Sequence, residues 1–424
     1  MRKAKIGLIG CGGIARHSHL PAIEELAKKG ALDFVAVCDI DENRASEIGE
    51  QYGVPYYTDA EEMMSKNKDI DVIDICTGDY THHSVAKMAA EHKMHPIVEK
   101  PMALTLPCCD VMIDACKKNG VYFEVAENYF RMPQDRVIIK LVAEGVIGDV
   151  MRVYYIDPIT ERPLWKVGSH SGVCIDMGVH RMSQIRLYAQ SEPKKIAGIT
   201  KQFVPAEGKV YEDWGHAIID FESGAVGIFE CSAVGEKMVS YRQIMGTKGT
   251  IKDFSLRAIV KGEMKDVPIE RETRKVDGMD VFTRIVVHTE PEIVYENPFK
   301  EYALDDWHIG IAEEIMSIAN AALFDREPEY GIGGRKDVEM CIANYESSLK
   351  GMMPIELPIT EITTYEQMVH EDFKEAFGYA PTDTPLIMDT PLTMVKDDRE
   401  VILTAVDAGR GLMKNCRKWD FKRE

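Results

Sequence analysis

Gly10-Cys11-Gly12-Gly13-Ile14-Ala15 follows a short apolar run at the start of the chain. The spacing fits G-x-G-x-x-G/A at the turn from a strand into a helix, which is how a dinucleotide is held. Gly10 permits the tight turn, Gly12 lets backbone approach a pyrophosphate, and the small Ala15 lets helix and strand pack closely. Gly13 and Ile14 open the helix, whose first N–H groups and positive dipole end suit phosphates. Asp39 ends the next apolar run, Val35-Ala36-Val37-Cys38. A carboxylate there accepts from ribose hydroxyls and repels a 2′-phosphate, which favours NAD over NADP. Ile40 follows where an NADP enzyme would place an arginine, although Arg44 lies on the next helix. The competing reading is that Asp39 only begins a helix cap. The ten cysteines include no C-x-x-C pair, and several lie in apolar strand patterns, as Cys38 and Cys76 do. That usage fits reduced, buried thiols in a cytosolic chain. His17 with His19, and His82 with His83, lack partners at zinc-site spacing, so no metal is expected.

The elements that would position these groups alternate strand and helix. Strands are expected at 5–10, 34–39, 72–77, 97–99 and 122–125, with helices at 14–28, 42–51, 83–92 and 106–118. Nearly continuous apolar strands between helices of this length predict a parallel, doubly wound sheet. Beyond residue 149 the pattern changes. A helix at 173–188 precedes strand-like runs at 195–203, 217–221, 225–232, 241–245 and 250–253. Turn signals between some of these predict a largely antiparallel sheet, hence an α+β domain. Helices are expected at 306–324, 335–350, 364–377 and 399–413, with a Pro/Thr/Asp-rich break at 379–391. The fold class is therefore α/β: an N-terminal Rossmann domain at 1–127, an α+β domain at 128–355, and a partly helical extension at 356–424. The extension could wrap the Rossmann domain, cover the substrate site or join an oligomer interface.

Two further motifs stand in order behind the glycine turn: Glu99-Lys100-Pro101 after a later parallel strand, and Asp176-Met177-Gly178-Val179-His180 in the second domain. With these three features, residues 4–355 resemble the glucose–fructose oxidoreductase/inositol dehydrogenase/MocA (Gfo/Idh/MocA) family. The resemblance implies substrate held between the domains against a nicotinamide, and an open sheet face used for homo-oligomer contacts (dimer or tetramer). It also implies that Lys100, Asp176 and His180 bind substrate and carry the chemistry. Oxidising an alcohol removes its proton as hydride leaves carbon, and histidine titrates near neutrality, so His180 suits the acid–base role. Asp176 lies one helical turn earlier, where it orients the imidazole or holds a substrate hydroxyl. Lys100 brings positive charge to the reacting oxygen. Thr77 and His82 match a segment near the cofactor, with Gly78-Asp79 in place of the family's Pro-Asn. Glu99 contacts the nicotinamide side or braces its loop. Asn128 matches a substrate-side asparagine, followed here by Phe130-Arg131 rather than Arg-Phe. Ser183 replaces an aspartate common in the family. Trp165 fits a sugar face or a core equally, with Arg162 and Lys166 beside it, and His170 and His216 are weaker candidates.

Bulk properties set limits. A chain of 424 residues is long enough for two domains. Net charge of −19 opposes nucleic-acid binding. No apolar run approaches the roughly 18 residues of a membrane span. The start, Met1 to Lys5 and a short strand, has no secretory pattern, so a cytoplasmic location is expected. The function expected is hydride transfer between NAD and a hydroxyl-bearing carbon of a sugar, polyol or glycoside. One alternative is a redox-neutral glycoside hydrolase that oxidises its sugar transiently and eliminates the aglycone. Another is an NAD-binding sensor, which would not need Lys100, Asp176 and His180 together.

Overall fold

The computed structural model describes residues 2–158, 172–203, 212–234 and 240–389. The first domain holds β1 Ala4–Ile9, β2 Leu32–Cys38, β3 Tyr56–Tyr57, β4 Val72–Ile75, β5 His95–Glu99 and β6 Glu124–Ala126. They form one parallel sheet in the order β3-β2-β1-β4-β5-β6. Its helices are α1 Leu20–Lys28, α2 Glu42–Tyr52, α3 Ala60–Lys66, α4 His82–Glu91 and α5 Leu106–Asn119. Ile6, Leu8, Val72, Ile73, Ile97 and Val98 are completely buried, as strands covered on both faces must be. Strand order reverses between β1 and β4, and the crevice at that switch point is where such sheets take ligands.

After α6 Pro133–Ala143 come β7 Val150–Pro158, α7 Val173–Asp176, α8 Gly178–Ala189, β8 Pro193–Lys201, β9 Trp214–Phe221, β10 Val226–Ser232, β11 Tyr241–Gly246, β12 Gly249–Lys252, β13 Ser255–Val260 and β14 Glu263–Val267. With β18 Ile355–Glu356 at one edge, these strands make an open nine-stranded sheet in the order β14-β13-β12-β11-β7-β10-β9-β8-β18. Only the β7/β10 pair in it is parallel. A separate hairpin sheet is built from β15 Ile269–Val276, β16 Met279–Val287 and β17 Ile293–Glu296. Helices α9 Asp306–Phe324 and α10 Ile332–Leu349 follow. Strand faces alternate: Gly227, Phe229 and Cys231 are buried beneath α8, while Val226, Ile228 and Glu230 point to the half-open outer face. No described helix is long and apolar enough to cross a membrane.

Two expectations are corrected here. The helix expected at 173–188 is broken at Met177, which ends α7 and begins α8. Gly178 follows the break, and the Phe229 ring packs against it closely enough that a Cβ would lie 3.0 Å away. The Pro/Thr/Asp-rich stretch is not a simple break, because it contains α12 Thr384–Asp389. The helix expected at 399–413 lies outside the described residues. The described part of the extension, α11 Thr364–Phe377 and α12, lies on the Rossmann domain. Glu366 receives the Leu106 N–H at the start of α5 (2.8 Å) and also closes the capping box of its own helix with Thr363.

Candidate active site

The turn after β1 is held from below. Gly10 has φ +99°, and a Cβ there would lie 2.6 Å from the Cys76 backbone. The Asp39 carboxylate accepts from the Cys11 N–H (2.7 Å) and the Asp41 N–H (2.8 Å). The cap of α2 is Asp41, not Asp39. A Cβ at Gly12 or Gly13 would meet nothing within 4 Å, so backbone there faces open space. The first turn of the following helix has N–H groups that no carbonyl within the helix can reach. Open glycine backbone, free N–H groups and an adjacent carboxylate fit the pyrophosphate and ribose of a dinucleotide.

Behind this turn the helix winds as a π-helical segment, Ala15–His19, before α1. It delivers His19 beneath the sheet, with Nδ1 2.8 Å from Asp74 and Nε2 3.0 Å from Glu99. Burial works against charge on His19, but Asp74 overrides it and holds the ring well above the ordinary histidine value. Burial would raise Glu99, yet the His19 bond and charge pull it down to about 2. His19, Asp74 and Cys76 together bring ligand-type atoms within 4.8 Å of one another, a grouping their spacing along the chain does not show. Both His19 nitrogens are within hydrogen-bond distance of carboxylates, so the group acts as a charged strut. The second Glu99 oxygen accepts the Lys100 N–H (2.9 Å), so Glu99 braces its own loop.

Lys100 leaves the end of β5 and meets α7. Its Nζ donates to the Asp176 carbonyl (2.9 Å) and to Asp176 Oδ1 (3.1 Å). The break at Met177 makes the first bond possible, because carbonyls at a helix end lack intrahelical partners. The His180 Nδ1 lies 2.6 and 2.8 Å from the two oxygens of Glu127, just after β6. Its Nε2 has no hydrogen-bond partner among the described residues. The Tyr129 ring lies tilted against the imidazole, 4.3 Å between centroids, and the Arg181 guanidinium lies 4.3 Å over the Tyr129 ring. Burial, with the Lys100 and Arg181 cations, holds His180 well below the ordinary histidine value. Burial pushes Glu127 up to about 8, against the pull of Lys100. The Asn128 side chain is buried nearby, and its Nδ2 has no partner among the described residues.

A family model described as "Oxidoreductase family, NAD-binding Rossmann fold" matches residues 4–127, and the Gfo/Idh/MocA C-terminal domain model matches residues 136–252. The chain belongs to the Gfo/Idh/MocA oxidoreductase family. A D-apiose dehydrogenase from Paraburkholderia graminis is 28% identical over 59% of this chain and 68% of its own. A myo-inositol 2-dehydrogenase from Thermotoga maritima is 29% identical over 58% and 74%. A 2,7-anhydro-N-acetylneuraminate hydratase from Mediterraneibacter gnavus is 25% identical over 69% and 80%. The solved structure of a levoglucosan dehydrogenase, in complex with NADH and levoglucosan, superposes with a TM-score of 0.68 at 21% identity. It aligns with 84% of this chain and 100% of its own, so this Gfo/Idh/MocA member carries additional chain beyond the shared fold.

Within this family frame, Lys100 and Asp176 meet directly, and His180 follows in α8. The carboxylate on its Nδ1, however, is Glu127 and not Asp176. Sequence spacing missed Glu127, and the acidic residue directly before Asn128 was the only local hint. Thr77 accepts from the Thr81 hydroxyl (2.8 Å) in the turn after β4. His82 is buried between the carbonyls of Pro101 (2.9 Å) and Thr77 (3.2 Å), where it ties the two loops together. Arg131 is fully buried in ion pairs with Glu124 and Glu329, which removes it from any substrate contact. Ser183 is buried one turn below His180. His216 stands with Trp214 and Glu230 on the outer face of the nine-stranded sheet, apart from Lys100 and His180, which corrects that candidate. Arg162, Trp165, Lys166 and His170 lie outside the described residues.

Proposed function

We propose that this protein is an NAD-dependent oxidoreductase that moves a hydride between nicotinamide and a hydroxyl-bearing carbon of a sugar, polyol or glycoside. The observation that carries the reading is the Lys100–Asp176 contact at the end of β5, with His180 close enough to feel both charges and its Nε2 without a partner among the described residues. Gly12, Gly13, Ile14, Ala15, Asp39 and Thr77 would hold NAD, whose nicotinamide supplies the hydride acceptor when bound. The Asp39 carboxylate, fixed by the Cys11 and Asp41 N–H groups at the end of β2, would accept from the ribose hydroxyls and repel a 2′-phosphate, which favours NAD over NADP. His180 Nε2 takes the hydroxyl proton in oxidation and returns it in reduction. The Lys100 cation, held by Asp176, stabilises negative charge growing on the reacting oxygen.

The test is substitution. Lys100→Ala and His180→Ala should each lower turnover by roughly 10²–10⁴-fold, the worth of a positioned acid–base or charge-stabilising group, while NAD affinity stays near wild type. Near-native rates in either variant would defeat the assignment. The hydratase relative favours one second reading, redox-neutral cleavage of a glycosidic bond through transient oxidation. We also place the protein in the cytoplasm, supported by nine described cysteines that are all buried free thiols. The outer face of the nine-stranded sheet, with Ile218, Ile259 and Met264 exposed, supports assembly into a dimer or tetramer.

A further inference from the structure

We infer that Glu127 is the positioning residue of the acid–base group: it fixes the His180 ring through Nδ1 and stores the one proton that the pair exchanges with substrate. The inference rests on the reading of His180 given under Proposed function. Both oxygens of Glu127 lie against one imidazole nitrogen, at 2.6 and 2.8 Å. Glu127 and His180 are 1% and 3% exposed, so water cannot take over either role. One Glu127 oxygen also accepts the Tyr129 N–H (3.2 Å), which fixes the carboxyl, and Tyr129 in turn covers the imidazole face. The carboxyl therefore has one geometry in which to meet the ring.

Burial sets how the proton is shared. It disfavours both an ionised Glu127 and a protonated His180, so the pair holds its proton as neutral acid and neutral ring. In that state Glu127 donates to Nδ1, and Nε2 carries the outward N–H. In reduction the Nε2–H bond breaks as an O–H forms on the substrate oxygen. The Glu127 O–H breaks as Nδ1–H forms. A carboxylate and a neutral ring remain, and no imidazolium is built in the buried site. Oxidation is the reverse, and it needs the emptied pair, whose Nε2 lone pair faces outward. The surrounding charged and titratable groups are Glu99 and Lys100 at the end of β5, Asp176 on α7 and Arg181 on α8. Tyr330, Asp337 and Cys341 face it from the α10 side. Lys100 and Arg181 favour the emptied carboxylate, whereas Glu99 opposes it.

The experiment compares wild type, Glu127→Gln and His180→Ala as full-length protein with NAD, by nitrogen NMR of isotopically labelled histidine and by pH–rate profiles. The His180 signal is identified by its loss in His180→Ala. In wild type that ring should pass from the Nε2–H to the Nδ1–H tautomer through about pH 8, the value of the Glu127 carboxyl. Oxidation should rise, and reduction fall, over the same range. Glu127→Gln should hold one tautomer, lose that limb, and lower kcat by roughly 10–100-fold with KM nearly unchanged. A pH-independent tautomer in wild type, or a variant that keeps the limb and the rate, would overturn the inference. An active His180→Ala would instead overturn the acid–base reading itself. An inactive His180→Ala beside an unaffected Glu127→Gln would overturn the role of Glu127 and leave the acid–base reading standing.

Discussion

Two glycines of one motif answer to different constraints. Gly10 is enclosed by Cys76 backbone and has a positive φ, whereas Gly12 has empty space where a Cβ would stand. Gly10→Ala should therefore lower the melting temperature of the protein without cofactor. Gly12→Ala should leave that temperature unchanged and weaken NAD binding by roughly tenfold, equal to about 1.4 kcal/mol. Thermal unfolding and NADH fluorescence titration separate the two outcomes. The motif was legible because its work is local. The partnership of Glu127 with His180 was not, since 53 residues separate them and no spacing rule links a strand end to a distant helix. The contact that Asp176 makes was hidden for a related reason. Its contact is Lys100, 76 residues away, and the helix break that frees its carbonyl falls at Met177, a good helix former.

At the scale of elements, the extension and the Rossmann domain share a cap. Thr105, the N-cap of α5, makes no side-chain capping bond, and Glu366 from α11 serves the Leu106 N–H instead. Tyr80, in the turn between β4 and α4, stacks 5.8 Å from Phe377, and the His83 ring meets the Pro381 carbonyl at 2.7 Å. The extension thus braces the turns that carry Thr77 and Lys100. Glu366→Ala removes two helix starts' capping at a fully buried site and should cost roughly 2–4 kcal/mol, read by denaturant unfolding. An unchanged midpoint would show that these contacts carry no stability. The central parallel strands were readable because burial on both faces leaves continuous apolar runs. β15 was not, because its run Ile269-Glu270-Arg271-Glu272-Thr273-Arg274 is exposed and charged, and only pairing with β16 makes it a strand. The single helix expected at 14–28 likewise hid the π-helical segment that delivers His19.

Taken whole, the molecule sets a covered parallel sheet beside a sheet with one half-open face. The passage from a parallel to a largely antiparallel sheet was legible from the change in strand character. Which sheet face α8 and α10 cover depends on packing between distant segments, and alternation alone does not choose it. On the proposal that copies assemble through this outer face, Ile218→Glu, at a half-exposed position, should yield monomers in sedimentation runs while leaving the fold intact. A single species of unchanged size would refute that interface. The most direct check of the central claim follows NADH absorbance with NAD and a panel of sugars, polyols and glycosides, beside analysis of the products. The account predicts NADH formed in proportion to a keto product, and abolished in His180→Ala. A panel consumed with no NADH and no keto product, or NADH formed equally by His180→Ala, would contradict it.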